Sequence, residues 1–155
     1  MGVSFRCKKF MLSDASTIPS RIDAHIHLYH EFLYFEQGDA SYISGSFTHQ
    51  LSPGDIIVTK PNVVHAISFA SNAQYSRVFI QISPQMLSSI PGDLTRNLNG
   101  RFSNDSYIIQ SSTTKKLHLH WYFHKGALLL SNANVKNVYL AELLFSRFAI
   151  EADAA

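Results

Sequence analysis

A chain of 155 residues, 46% hydrophobic and 15% charged, is long and apolar enough to bury one core, so a single domain over residues 1–155 is the expected organisation. Thirteen basic residues against eleven acidic leave a formal net charge of +2 with no basic stripe, which excludes a nucleic-acid surface on this segment by itself. The one cysteine, Cys7, excludes an internal disulfide and fits a reducing compartment, so a cytoplasmic location is expected; no apolar run approaches bilayer length, and the first residues lack the layout of a secretory signal.

Residues 1 to 20 set Phe5, Phe10, Met11 and Leu12 beside basic Arg6, Lys8 and Lys9 and close on Ser16-Thr17-Ile18-Pro19-Ser20, which suits a short edge strand or an N-terminal arm. The next stretch, Ala24 to Gly38, carries His25 and His27 two residues apart. In an extended strand that spacing points both imidazoles to one face, and Glu31 joins them if the strand continues without a bulge. A second segment runs from Pro53-Gly54-Asp55 through the apolar Ile56 to Val58 and the turn Pro61-Asn62 to a fourth donor, His65. His30 has the opposite parity and faces away, and His49 lies near a hairpin end and is expected to be solvated.

Three imidazoles and a carboxylate suit a mononuclear site for Zn²⁺, Fe²⁺, Ni²⁺ or Mn²⁺. The same four groups could line a metal-free pocket for an organic ligand, or satisfy one another in a buried hydrogen-bond network. The residues alone leave all three readings open.

From Ile22 to Ser83, short aromatic and β-branched runs alternate with turn signals at Gln37-Gly38-Asp39, Ser44-Gly45-Ser46, Ser52-Pro53-Gly54-Asp55, Pro61-Asn62 and Ser71-Asn72-Ala73. Such spacing predicts a sandwich or barrel occupying about residues 1–110, with room for a ligand in its mouth. Arg77 and Gln81, alternating with Phe79, either point inward to bind an anionic or hydroxylated ligand or lie on the outer face. Tyr42 either stacks on a ligand or fills the core. Gln85 to Ile90 suits one or two helical turns, residues 91–106 a loop, and Tyr107-Ile108-Ile109 a last strand.

Leu117 to Leu130 and Val135 to Ile150 then predict a helical hairpin, about 114–150, joined by Ser131-Asn132-Ala133-Asn134. His118, His120 and His124 are placed on the polar side of its first helix, opposite Leu117, Trp121 and Leu128. Trp121 stands where HExxH has its general base, so this is no zincin. On the second helix Val135, Tyr139 and Leu143 form one apolar row and Leu140, Leu144 and Phe148 another. Together they are wider than one core needs, which predicts a homodimer. Phosphate-loop, nucleophile-elbow and paired CxxC patterns are absent from the sequence, so nucleotide-dependent, serine-hydrolase and zinc-ribbon readings have no support.

The spacing His25, His27, Glu31, Gly38, with Pro53 to Asp55 and Pro61 to His65, resembles both motifs of the cupin family. The run from Glu31 to Ile67 is similar to the N-terminal sensor domain of AraC-type bacterial transcription regulators, the likeness covering roughly residues 20–90 well. Asn62 stands where that family usually has Gly, a position where Asn can keep the turn. The resemblance implies a mainly β fold, a cupin-like double-stranded β-barrel (jelly roll) followed by a C-terminal helical hairpin. It also implies a small-molecule effector, a sugar being one candidate class, and a homodimer, with DNA bound only through a separate C-terminal domain not present in these residues, since Glu151 to Ala155 lies where a linker would begin. An alternative is a free-standing cupin metalloenzyme, a dioxygenase or isomerase, using His25, His27, Glu31 and His65.

Overall fold

The computed structural model describes residues 4–155. Among the described residues nine strands are followed by, and partly interleaved with, helices: β1 (Phe5–Leu12), β2 (Arg21–His25), β3 (His30–Gln37), β4 (Ala40–Ser44), β5 (Phe47–Gln50), β6 (Ile56–Thr59), β7 (His65–Phe69), β8 (Tyr75–Ile82), α1 (Pro84–Ser89), α2 (Arg96–Arg101), β9 (Ser106–Ile109), α3 (Ser111–Lys116), α4 (His120–Leu130) and α5 (Val135–Ala152). The strands form two antiparallel sheets, one ordered β1-β8-β3-β6-β9 and the other β2-β7-β4-β5.

Alternation along the strands sorts the side chains into two cores. Leu33 and Phe35 of β3, Ile57 of β6 and Tyr75 of β8 meet Ala40 and Tyr42 of β4 and Ile67 and Phe69 of β7 between the sheets. The intervening residues Phe32, Ile56, Val58, Val78 and Ile80 face the other way, onto Phe123 of α4 and Phe145 and Phe148 of α5. The five-stranded sheet is therefore a middle layer with both faces covered, and this is why Ile56-Ile57-Val58 reads as an unbroken apolar run rather than an alternating one.

Several sequence expectations are corrected here. β1 is an edge strand paired along its whole length with β8, from Phe5 opposite Ile82 to Leu12 opposite Tyr75, so the arm alternative fails for residues 5–12, while residues 1–3 lie outside those described. The supposed loop 91–106 contains α2, whose Leu98 is fully buried; Asp153, far along the chain, accepts a hydrogen bond from the Leu98 N–H at 2.8 Å. The first hairpin helix is split: α3 ends at Lys116, and His118 takes a left-handed φ of 54° before α4 begins at His120.

His118 and His124 are exposed and Leu117 packs against the core, as expected, but the apolar face of α4 is not the expected one. Tyr122, Phe123 and Gly126 point into the core, leaving Trp121 and Leu128 47% and 66% exposed. Gly126 is required by this packing, since a β-carbon there would sit 2.5 Å from Phe145 Cε1 and 3.1 Å from Cys7 Sγ.

On α5 the two apolar rows part company. Phe148 is enclosed by Phe32, Tyr122 and Phe123 and so belongs to the core, not to a surface another chain can touch. Leu144 is partly buried beside it and Leu140 is exposed. Val135, Tyr139 and Leu143 remain 90%, 61% and 53% exposed. The hairpin turn holds because Asn134 caps α5, its side-chain oxygen accepting from the Asn137 N–H at 2.8 Å.

Candidate functional site

The histidine pattern converges, though not along one strand. β2 ends at His25 and β3 begins at His30 in the opposite sheet, so the chain crosses between sheets through residues 26–29 and carries His27 over the gap. His25 lies directly opposite His65, the first residue of β7, and Glu31 lies opposite both Gln81 and Thr59 in the middle layer. Asn62, in the left-handed region at φ 65°, donates its N–H to the His27 carbonyl at 2.8 Å and so ties the turn before His65 to the crossover.

The ring centroids of His25, His27 and His65 are 4.5 to 5.2 Å apart, and each ring offers a nitrogen within 4.8 Å of the others. His25 Nδ1 lies 2.8 Å from the Asp23 carbonyl and His65 Nδ1 lies 2.9 Å from that of Val63. A carbonyl only accepts, so in each ring Nδ1 carries the proton and Nε2 keeps its lone pair for the centre of the cluster. Glu31 Oε2 is 3.0 Å from His27 Nε2 and accepts from the Gln81 side-chain amide at 2.7 Å. Its Oε1 lies 3.5 Å from His65 Nε2 without a hydrogen bond, leaving that nitrogen buried and unpartnered.

Electrostatics fit the same picture. Burial lowers the pKa of His25 and repulsion from the His65 and His27 rings adds to this, while the Asp23 carbonyl pulls the other way. For Glu31 burial favours the neutral acid, yet the contact with His27 and the bond from Gln81, with the His65 ring nearby, outweigh it and hold the carboxyl well below the usual carboxylate range. The three imidazoles of His25, His27 and His65, each with one nitrogen within 4.8 Å of the others, and the orphaned His65 Nε2 fit a divalent transition metal, with Glu31 beside them as the carboxylate that accepts from His27.

The remaining candidates divide. Tyr42 is a supporting residue: fully buried, with its hydroxyl 2.8 Å from Thr59 Oγ1 and 2.7 Å from Ser106 Oγ, and its ring stacked on His65 at 5.7 Å. Gln81 joins the cluster through Glu31. Arg77 shares the inward face of β8 but does not join it, since four residues along a strand separate the two by about 13 Å. His30 faces Phe102 outside the cluster, as its parity predicted, and burial pushes its pKa down to about 4. His49 is not simply solvated: its Nε2 lies 3.1 Å from Asp55 Oδ2, on a carboxylate that also accepts from the Ser52 and Ser111 N–H groups. Cys7 is buried in the helix-facing core, donates to the Phe123 carbonyl at 3.5 Å, and has its thiol pKa pushed up to about 12 by burial.

Sequence reasoning missed a groove of about 850 Å³ along the free edge of β1, lined by Phe5 and Phe10, by Arg77 and Phe79 of β8, and by Leu130 and Val138 of the hairpin. The alternation of Arg6, Lys8 and Phe10 was its only trace in the sequence. No helix among the described residues is long and apolar enough to cross a membrane.

A family model described as the AraC-like ligand binding domain matches residues 10–129. No curated protein matches the sequence. Among solved structures, ToxT from Vibrio cholerae is similar in several forms, among them the apo K231A variant from strain SCE256 at 13% identity and a TM-score of 0.61, over 95% of this chain and 55% of that one, and a form from strain O395 bound to (E)-4-(8-methylnaphthalen-1-yl)but-3-enoic acid at 16% identity and a TM-score of 0.56, over 94% and 55%. This chain thus spans about half the length of ToxT. A cupin superfamily protein from Desulfitobacterium hafniense matches at 14% identity and a TM-score of 0.45, over 54% of this chain and 71% of that one.

Proposed function

This chain belongs to the AraC-like ligand binding domain family, and from that membership we propose that it is the small-molecule-sensing and dimerisation domain of an AraC-type transcription regulator. A ligand or metal is held on the inner face of the barrel, a second copy pairs through the exposed row of α5, and DNA is contacted only by a separate domain. The observation that carries the reading is the buried, unpartnered His65 Nε2 at the centre of a converged donor set. Such an atom costs free energy unless something binds it. The hairpin supports regulation over catalysis, because a lone catalytic barrel has no use for an apolar row facing outward.

A bound divalent ion would supply Lewis-acid polarisation at this mouth. The chain's own part is to present the three imidazoles and to hold Glu31 ionised through His27 and Gln81. Sensing is then a difference in free energy: the ligand acts by as much as it prefers one arrangement of the dimer over another. The complete ligand set also favours a second reading, a cupin metalloenzyme with the same four residues.

Elemental analysis of the purified chain and of His65→Ala, before and after zinc or nickel addition, tests the site. The expected result is near one ion per native chain and at least about tenfold weaker retention in the variant. Equal metal content in both would remove the cluster as the site, and turnover of an organic substrate by the metal-loaded chain would promote the enzyme.

A further inference from the structure

The groove along the β1 edge holds a charge that nothing in the chain neutralises. Its walls are apolar, from Phe5, Phe10, Phe79, Leu130 and Val138. The half-buried Arg77 guanidinium is set into them, 5.0 Å from the centre of the Phe10 ring and 5.9 Å from that of Tyr75. Its Nη1 donates to the Tyr75 hydroxyl at 3.3 Å, and its Nε is buried with no partner. Among the described residues no carboxylate pairs with it. A guanidinium keeps its charge at every accessible pH, so this site cannot relieve the cost of partial burial by losing a proton. An anion in the groove would supply the missing partner.

We infer that the groove binds an organic acid: a single carboxylate on the Nη donors of Arg77, and an aromatic or aliphatic body laid along Phe10 and Phe79. The planar fork of the guanidinium suits a carboxylate, and the volume suits a molecule of drug size. Arg6 and Lys8, exposed on β1, add positive potential at the entrance, whereas Lys9 is already paired with Glu36 at 3.4 Å and Glu142 is an acid on the rim. Inorganic phosphate gains nothing from apolar walls, and a sugar would find few partners for its hydroxyls. This inference rests on the sensing reading and names the class of ligand sensed.

The probes are 6-phenylhexanoate and its primary amide, titrated by calorimetry into the full chain. The acid is expected to bind, and the amide to bind about tenfold or more weakly, because the charge-assisted bonds are lost. Arg77→Gln should bring the acid down to the level of the amide and Arg77→Lys should restore part of the difference, with metal content at the histidine cluster unchanged throughout. Equal affinity for acid and amide, no binding of either, or an Arg77→Gln chain that holds the acid as the native chain does would overturn the inference. The acid-to-amide comparison uses the native chain alone, so a variant that fails to fold leaves the test decisive. Failure of the sensing reading would look different: the acid would bind through Arg77 while small-angle scattering of the dimer stayed the same with and without it.

Discussion

Single side chains in this molecule are constrained by backbone conformation and burial in ways that can be measured one at a time. Asn62 sits at φ 65° and hands its N–H to His27. Asn62→Gly should therefore fold within about 0.5 kcal/mol of the native chain, whereas Asn62→Val, a β-branched residue in the left-handed region, should lose about 1–2 kcal/mol in urea denaturation and weaken metal binding as well. Cys7 offers a pH test. Its folded-state pKa, about 12, is raised above the ordinary 9.0. Its contribution to stability is thus complete below pH 9 and is lost as pH rises through 12, with a slope of up to about 1.4 kcal/mol per pH unit. Cys7→Ala should flatten that alkaline loss, and at pH 8 the native thiol should react with Ellman's reagent only as fast as the chain opens.

At the scale of elements, Gly126 is where α4 lies close against both α5 and β1. Glycine in a helix is usually improved by alanine by about 1 kcal/mol, but at Gly126 the added carbon meets Phe145 and Cys7, so Gly126→Ala should destabilise by about 1–3 kcal/mol in the same urea experiment. The faces of α4 also explain why its packing was illegible in the sequence. Trp121 and Leu128 make as good an apolar row as Tyr122, Phe123 and Gly126, and periodicity cannot say which row the sheet takes. The strands were legible because Gly, Pro and Asn mark their ends and because the middle sheet's buried faces force unbroken apolar runs. Parity brought His25, His27 and Glu31 together although its premise of one continuous strand was wrong, since the crossover between sheets happens to carry the same groups inward. For Arg77 and Gln81 parity put both on one face without saying which, and it says nothing about position along the strand, so it merged two separate places into one.

For the molecule as a whole, the proposed pairing of two copies can be separated from folding. Tyr139→Glu with Leu143→Glu alters only exposed residues, so light scattering should report monomers at a nearly unchanged melting temperature. Phe148→Glu, which places a charge in the core, should instead unfold the chain. Dimers that survive the double substitution would remove α5 from the interface. The middle sheet, shared by both cores, sets one more property. With no side open to water, the central strands β3, β6 and β8 can trade their amide protons for deuterium only when the entire chain comes apart. The rate at those amides is therefore a direct readout of global stability, while the crossover at 26–29 should label within moments.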